Sequence, residues 1–280
     1  YDWYLYEEPL SPTLGVQAQL PILLAEYPFR TQQDIADYLH LLQDLPRYFS
    51  DLIALEQEKS RQGVFQNDLA VDGIIRQCSA FLADADTPES HLLHTVFQNK
   101  LQASSLFSEA ERNLCLQTHK KLLTSCVFPA YRSLSDALSS LRGKGTQNAG
   151  GLSRQEDGLS YYAYLLRSRV GVDASPEELT RLLTQQLADQ CAEMQIILDQ
   201  NPSLSLSEQA LVLPFSTPEE MLADLQNAVS EDFPVLSGIA YEVKTVDDSL
   251  KDFLSPAFYL TPPADVNSPN CIYLNPADEM

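Results

Sequence analysis

Histidine is the side chain best suited to metal binding and to proton transfer near neutral pH. The sequence has four: His40, His91, His94 and His119. His91 and His94 stand three residues apart in a stretch of helical periodicity, so both project from one face. That geometry suits two ligands of a metal, but zinc asks for three or four, and no third is identifiable. The pair therefore reads as structural or solvent-facing, and zinc titration is expected to show no tight stoichiometric site. His119 lies beside Lys120 and Lys121 and reads as surface. There is no His-Glu-x-x-His and no Gly-x-Ser-x-Gly, so neither a zinc-peptidase helix nor a hydrolase serine can be named. Asp and Glu total 39, and folding could bring any two together, so the sequence selects no acid–base pair.

Tyrosines and glycines offer a different chemistry. Five of the ten glycines fall between Gly143 and Gly158, a concentration that marks backbone in unusual conformations or in close approach to a neighbour. It is not a phosphate loop, because both Gly-x-Gly-x-x-Gly and Gly-Lys-Ser/Thr are absent. Tyr161 and Tyr162 follow it, and Tyr259 and Tyr273 sit on two strand-like runs near the end. The plain reading is packing. The functional reading is a cleft wall whose phenols hydrogen-bond a substrate, with Gly151, Tyr161, Tyr162, Tyr259, Tyr273 and Asn275 as candidate substrate-binding residues.

The charge balance narrows the partners. Lys and Arg total 18, and the formal net charge is -21. That excess repels phosphate backbones and anionic lipid, so nucleic acid is not an expected partner. No apolar run is long enough to span a bilayer. Cys78, Cys115, Cys126, Cys191 and Cys271 form no C-x-x-C pair, and an odd count at irregular spacing does not suggest a disulfide framework. They read as small buried hydrophobes. The chain opens at Tyr1 inside the aromatic run Tyr1–Tyr6, which reads as an internal start.

The elements that must position these residues follow from periodicity. Residues 1–29 carry four prolines and read as an irregular lead-in with one short helix. Thr31 and Asp34 open a helix whose stripe (Ile35, Tyr38, Leu42, Leu45, Phe49, Leu52) passes through Pro46 and ends near Gly63, which predicts one kinked helix or two abutting ones. Further helices are expected over 68–82, on Leu69, Ile74, Ile75 and Cys78, and over 90–101. The Ser108–Glu111 capping box begins a stripe of Leu114, Cys115, Thr118, Leu122, Cys126 and Ala130 that crosses Pro129 and ends at Gly143. A helix over 159–170 is followed by two with the same start signal, Ser175-Pro176-Glu177-Glu178 and Thr217-Pro218-Glu219-Glu220. The first of these carries Leu179, Leu183, Leu187, Cys191 and Met194. From about residue 239 the pattern alternates: Ile239, Tyr241, Val243 and Thr245 point one way, and Ala257–Thr261 and Cys271–Leu274 read as two more strands. The expected fold is mainly α, a bundle of long helices over 1–238, with a small β element over 239–280.

Several blocks, taken in order, resemble one bacterial family. They are Gly15-Val16-Gln17-Ala18-Gln19-Leu20-Pro21, Ala25-Glu26-Tyr27-Pro28-Phe29, Gly150-Gly151-Leu152, Tyr161-Tyr162, Ala192-Glu193-Met194, Leu254-Ser255-Pro256-Ala257-Phe258-Tyr259 and Ile272-Tyr273-Leu274-Asn275-Pro276. Together they resemble the domain of unknown function 885 family across nearly the whole chain. The resemblance implies a helical, deep-cleft fold similar to zinc metallopeptidases, in a secreted or lipoprotein-anchored protein. It also implies that the zinc helix, a His-Glu followed by Pro-Gly-His, comes after the strand ending in Asn275-Pro276. On that reading this chain stops before its metal ligands and carries no cofactor or catalytic residue itself. Zinc and a peptide substrate belong to the full-length protein, and apolar surface that the rest would cover stands exposed here. The competing expectation is a helical protein-binding or scaffold module without catalysis.

Overall fold

The structure, a computed structural model, describes residues 3–145, 151–202, 214–234, 240–246, 255–261 and 269–275. Gly150, Ile239, Leu254 and Pro276 of the blocks quoted above lie outside the described residues. Among the described residues the chain is mainly helical, with a small sheet near its end. It divides into two compact units: residues 1–147 with 236–280, and residues 148–235.

In the first unit, α1 (Val16–Glu26) leads into α2 (Gln32–Arg61), α3 (Asp68–Phe81), α4 (Leu92–Ala103), α5 (Glu109–Leu122) and α6 (Phe128–Leu141). The lead-in is thus more ordered than expected, because α1 takes 11 of its residues. Thr31 caps α2 by accepting from the Asp34 amide, while the Asp34 carboxylate accepts from the Thr31 amide. The helix is continuous through Pro46, so of the two arrangements expected there the chain takes a single helix. Ser108 and Glu111 form the same reciprocal cap on α5. Ahead of Pro129 the helix widens into a π turn, Leu123–Val127, and α6 begins with the proline in its first turn. The wider turn lies where the proline ring and its missing amide would otherwise disturb the α-helical ladder.

The core of this unit lies between α2, α3, α4 and α6. Ile35, Tyr38, Leu42, Leu45, Phe49 and Leu52 are buried along α2, as their spacing predicts. Phe49 and Phe81 pack on Tyr131, with ring centroids 4.8 and 4.2 Å away. The buried Tyr131 hydroxyl donates to the carbonyl of Gln17 at 3.0 Å, which joins α6 to α1. Two stripe residues do not follow the expectation. Leu69 and Leu114 are 79% and 64% exposed, because the buried faces of α3 and α5 turn about Ile74 and His119 instead.

The sheet belongs to the same unit. Strands β1 (Tyr241–Thr245), β2 (Ala257–Leu260) and β3 (Asn270–Leu274) lie in the order β1-β3-β2, with β1 parallel and β2 antiparallel to β3. Cys271 and Tyr273 are buried on one side of β3, while Ile272 and Leu274 on the other are half-buried. The second unit holds α7 (Gly158–Leu165), α8 (Pro176–Gln200) and α9 (Pro218–Asp232). Ser175 and Thr217 cap α8 and α9 with the predicted capping boxes.

Candidate functional site

Where the sheet meets the helices, charge and apolar surface converge. Glu26 ends α1, and Lys100 from α4 secures that end by donating to the carbonyls of Ala25 and Tyr27. A cation at a helix C-terminus satisfies orphan carbonyls and opposes the helix dipole. Lys244 of β1 donates to the Glu26 carboxylate at 2.6 Å, and the Tyr273 hydroxyl donates to its other oxygen. Beside this cluster lies a cavity of about 370 Å³, walled chiefly by Ile22, Leu92, Val96, Val246 and Phe258. Phe258 pairs across the sheet with Tyr273, their rings stacked 5.0 Å apart.

The electrostatics of the cluster argue for positioning rather than proton transfer. Burial raises the pKa of Glu26, but hydrogen bonds from Lys244 and Tyr273 outweigh it and hold the carboxyl below its usual range. Burial lowers the Lys244 pKa, and its bond to Glu26 more than reverses that. Burial and then the Glu26 carboxylate push the Tyr273 phenol well above its usual range. A general acid or base works best with a pKa near the working pH. Here all three groups are driven away from neutrality. The cluster is a fixed ion pair with a phenol tether that fastens the sheet to α1.

The histidines form a second polar group inside the core. His119, expected on the surface, is fully buried. It stacks on Phe97 at 4.2 Å and on Tyr38 at 5.7 Å. Its Nε2 is 3.2 Å from the Tyr38 hydroxyl, and its Nδ1 is 3.2 Å from Nδ1 of His94. One proton must be shared across that nitrogen pair, so one ring donates and the other accepts, both neutral. Burial, reinforced by His94 and His91, pushes the His119 pKa down to about 3. His91 is the N-cap of α4 rather than a residue within it. Its Nδ1 accepts from the Leu93 amide, and its Nε2 lies 3.0 Å from the carbonyl of Phe81. Among the described residues no group of three His, Cys, Asp or Glu is arranged to hold a metal.

The six candidate substrate-binding residues fall in different units. Gly151, Tyr161 and Tyr162 belong to the second, and Tyr259, Tyr273 and Asn275 to the first. Gly151 opens a 3-10 turn at a φ of +59°, a left-handed conformation that glycine adopts without strain. Tyr161 is buried against Tyr164, while Tyr162 is exposed. Tyr259 on β2 is also exposed, and its hydroxyl donates to the side chain of Asn270. Tyr273 faces Glu26 on the helix side. The Asn275 amide donates to the carbonyl of Pro256 at 2.8 Å and so closes the end of the β2–β3 pair. Cys191, read as buried, is exposed, on a helix that buries none of its residues.

The model of the bacterial proteins of unknown function termed DUF885 matches residues 4–280. The chain belongs to that family. No curated protein matches it. Among solved structures, one described as "the putative lipoprotein from Colwellia psychrerythraea" shares the fold with a TM-score of 0.80 at 19% identity. The match covers 96% of this chain but 49% of that one, so the chain spans about half the length of the solved protein it resembles. Among the described residues no helix is long and apolar enough to cross a membrane.

Proposed function

We propose that this chain supplies the substrate-cleft portion of a zinc-dependent peptidase, with the metal and the general base carried by the other half of a longer protein. The observation that carries the reading is the strand order β1-β3-β2. Both sides of β3 are taken, so strand addition of a peptide falls to an outer strand, and β2 with its exposed Tyr259 is the better candidate. The cavity beside Phe258 would take an apolar side chain of the bound peptide. The absent zinc would polarise the scissile carbonyl and activate water, and the part of this chain is to hold the sheet in place. On the same reading the protein is secreted or lipoprotein-anchored, in keeping with the description of the solved relative.

The test uses the full-length protein and a quenched fluorescent peptide library. Cleavage should require zinc and be lost on chelation. A Tyr259→Phe change should raise KM by up to about tenfold, the worth of one hydrogen bond, and leave kcat nearly unchanged. Unchanged kinetics in both Tyr162→Phe and Tyr259→Phe would sink the cleft-wall assignment. A full-length protein that neither binds zinc nor cleaves peptides would leave the second reading, a helical protein-binding module, for which the exposed α8 speaks.

A further inference from the structure

The second unit has well-specified helices and almost no core. Among its described residues only Gly158, Tyr161 and Leu166 are buried. Helix α8 runs for 25 residues without one buried side chain. Yet it is not a polar helix. Leu179, Leu183, Leu187, Met194 and Ile197 recur at helical spacing, and the last four are 50–63% exposed. Nearby in sequence, α9 shows Leu225 and Val229, four apart and half exposed. Protein helices draw most of their stability from burying such a stripe, and soluble proteins rarely leave one open. The start of α8 is built with a capping box and acids in its first turn, so the helix itself is firmly encoded. What is missing is its cover.

The solved relative supplies the scale. This chain accounts for about half of it, so as much polypeptide again is present in a protein of that architecture. We infer that the α8 stripe is the docking surface for the other half of the full-length protein. The rest of α8 is mainly acidic, with Glu177, Glu178, Asp189, Glu193 and Asp199 against Arg181, so the partner half is expected to meet the stripe with an apolar face and to carry basic residues around it. This inference goes beyond the peptidase reading and requires neither zinc nor peptide cleavage.

Cys191 is a native reporter of the contact: a free, exposed thiol one turn beyond Leu187. The experiment compares its alkylation by iodoacetamide in the 280-residue chain and in the full-length protein, resolved by peptide mass spectrometry. Labelling should be at least about 100-fold slower in the full-length protein, since it would wait on local opening. A full-length Leu183→Asp/Ile197→Asp variant should regain the fast rate, and Gln185→Ala on the opposite face should stay slow. If that double variant fails to fold, the comparison between the two wild-type lengths still decides. Equal rates at the two lengths would overturn the inference, as would a parent protein with no further half. Slow labelling of the 280-residue chain at every concentration would assign the cover to its own first unit. Slow labelling only at high concentration, with a sedimenting dimer, would assign it to a second copy. Either of these also overturns the inference.

Discussion

The buried histidines make a quantitative prediction about acid stability. Folded His119 has a pKa near 3, against an ordinary value of 6.5. The folded state therefore keeps the imidazole neutral, while below pH 6.5 the unfolded chain takes up a proton there. Stability from this group is fully present above 6.5, falls as the pH falls, and stops falling once the pH passes the folded value. Linkage gives about 1.4 kcal/mol per pH unit in that window, or about 2 kcal/mol between pH 7 and pH 5. That is a large part of a typical stability of about 5–15 kcal/mol. The assay is urea unfolding followed by the fluorescence of Trp3, the one tryptophan of the chain, which sits in the same unit. The comparison is with His119→Phe, which keeps a ring between Phe97 and Tyr38 but cannot titrate. The variant should be weaker at pH 7 by about 1–3 kcal/mol, because the Tyr38 hydroxyl and the His94 nitrogen lose a partner. Its loss of stability between pH 7 and pH 5 should be smaller than wild type by about 2 kcal/mol. Parallel pH profiles for the two proteins would refute the reasoning, since carboxylates elsewhere titrate alike in both.

Two further predictions concern the packing that carries the sites. Phe49→Ala removes a buried ring from the contact between α2 and Tyr131, and should cost about 3–5 kcal/mol in the same urea assay. Gly158→Ala should destabilise the start of α7, because the added methyl would fall 1.6 Å from the carbonyl oxygen of Leu152. The expected readout is faster hydrogen exchange across 158–165, with protection of α2 unchanged.

Most helix starts were legible because they rest on local chemistry. Thr31 with Asp34, Ser108 with Glu111 and Ser175 with Glu178 each name their own partner three residues on. The strands were legible from alternation, but their order was not, since nothing local says that β3 lies between β1 and β2. The position of His119 could have been read. It stands four residues after Cys115 and three before Leu122, on the buried face of α5, but the adjacent lysines drew it to the surface. Glu56 and Lys59 hide in the same way, continuing the stripe of α2 as a buried pair 3.6 Å apart. The Glu26–Lys244 contact spans 218 residues, and no local pattern connects a helix end to a strand so far along the chain.

That long-range contact answers a question the apolar residues of the sheet leave open. Both faces of the sheet are apolar. Val246, Phe258, Leu260 and Cys271 pack toward α1 and α4, while Val243, Ile272 and Leu274 lie half-buried on the other side. A slip of one residue would exchange the two faces at little hydrophobic cost. Lys244 and Tyr273 break the degeneracy, because only one face brings them to Glu26. The network should thus specify register more than it stabilises. Replacing it whole, as Glu26→Leu/Lys244→Met/Tyr273→Phe, should leave stability unchanged or raise it by about 1–4 kcal/mol, whereas Glu26→Leu alone leaves the half-buried Lys244 only its looser pair with Glu242, at 3.5 Å, and should destabilise. The triple variant should show weakened hydrogen-exchange protection over 241–245 and 270–274, and more than one set of amide resonances there. A triple variant with one sharp set of resonances and native protection would show that packing alone selects the face, and the ion pair would then have no part in holding the sheet edge where a peptide could add to it.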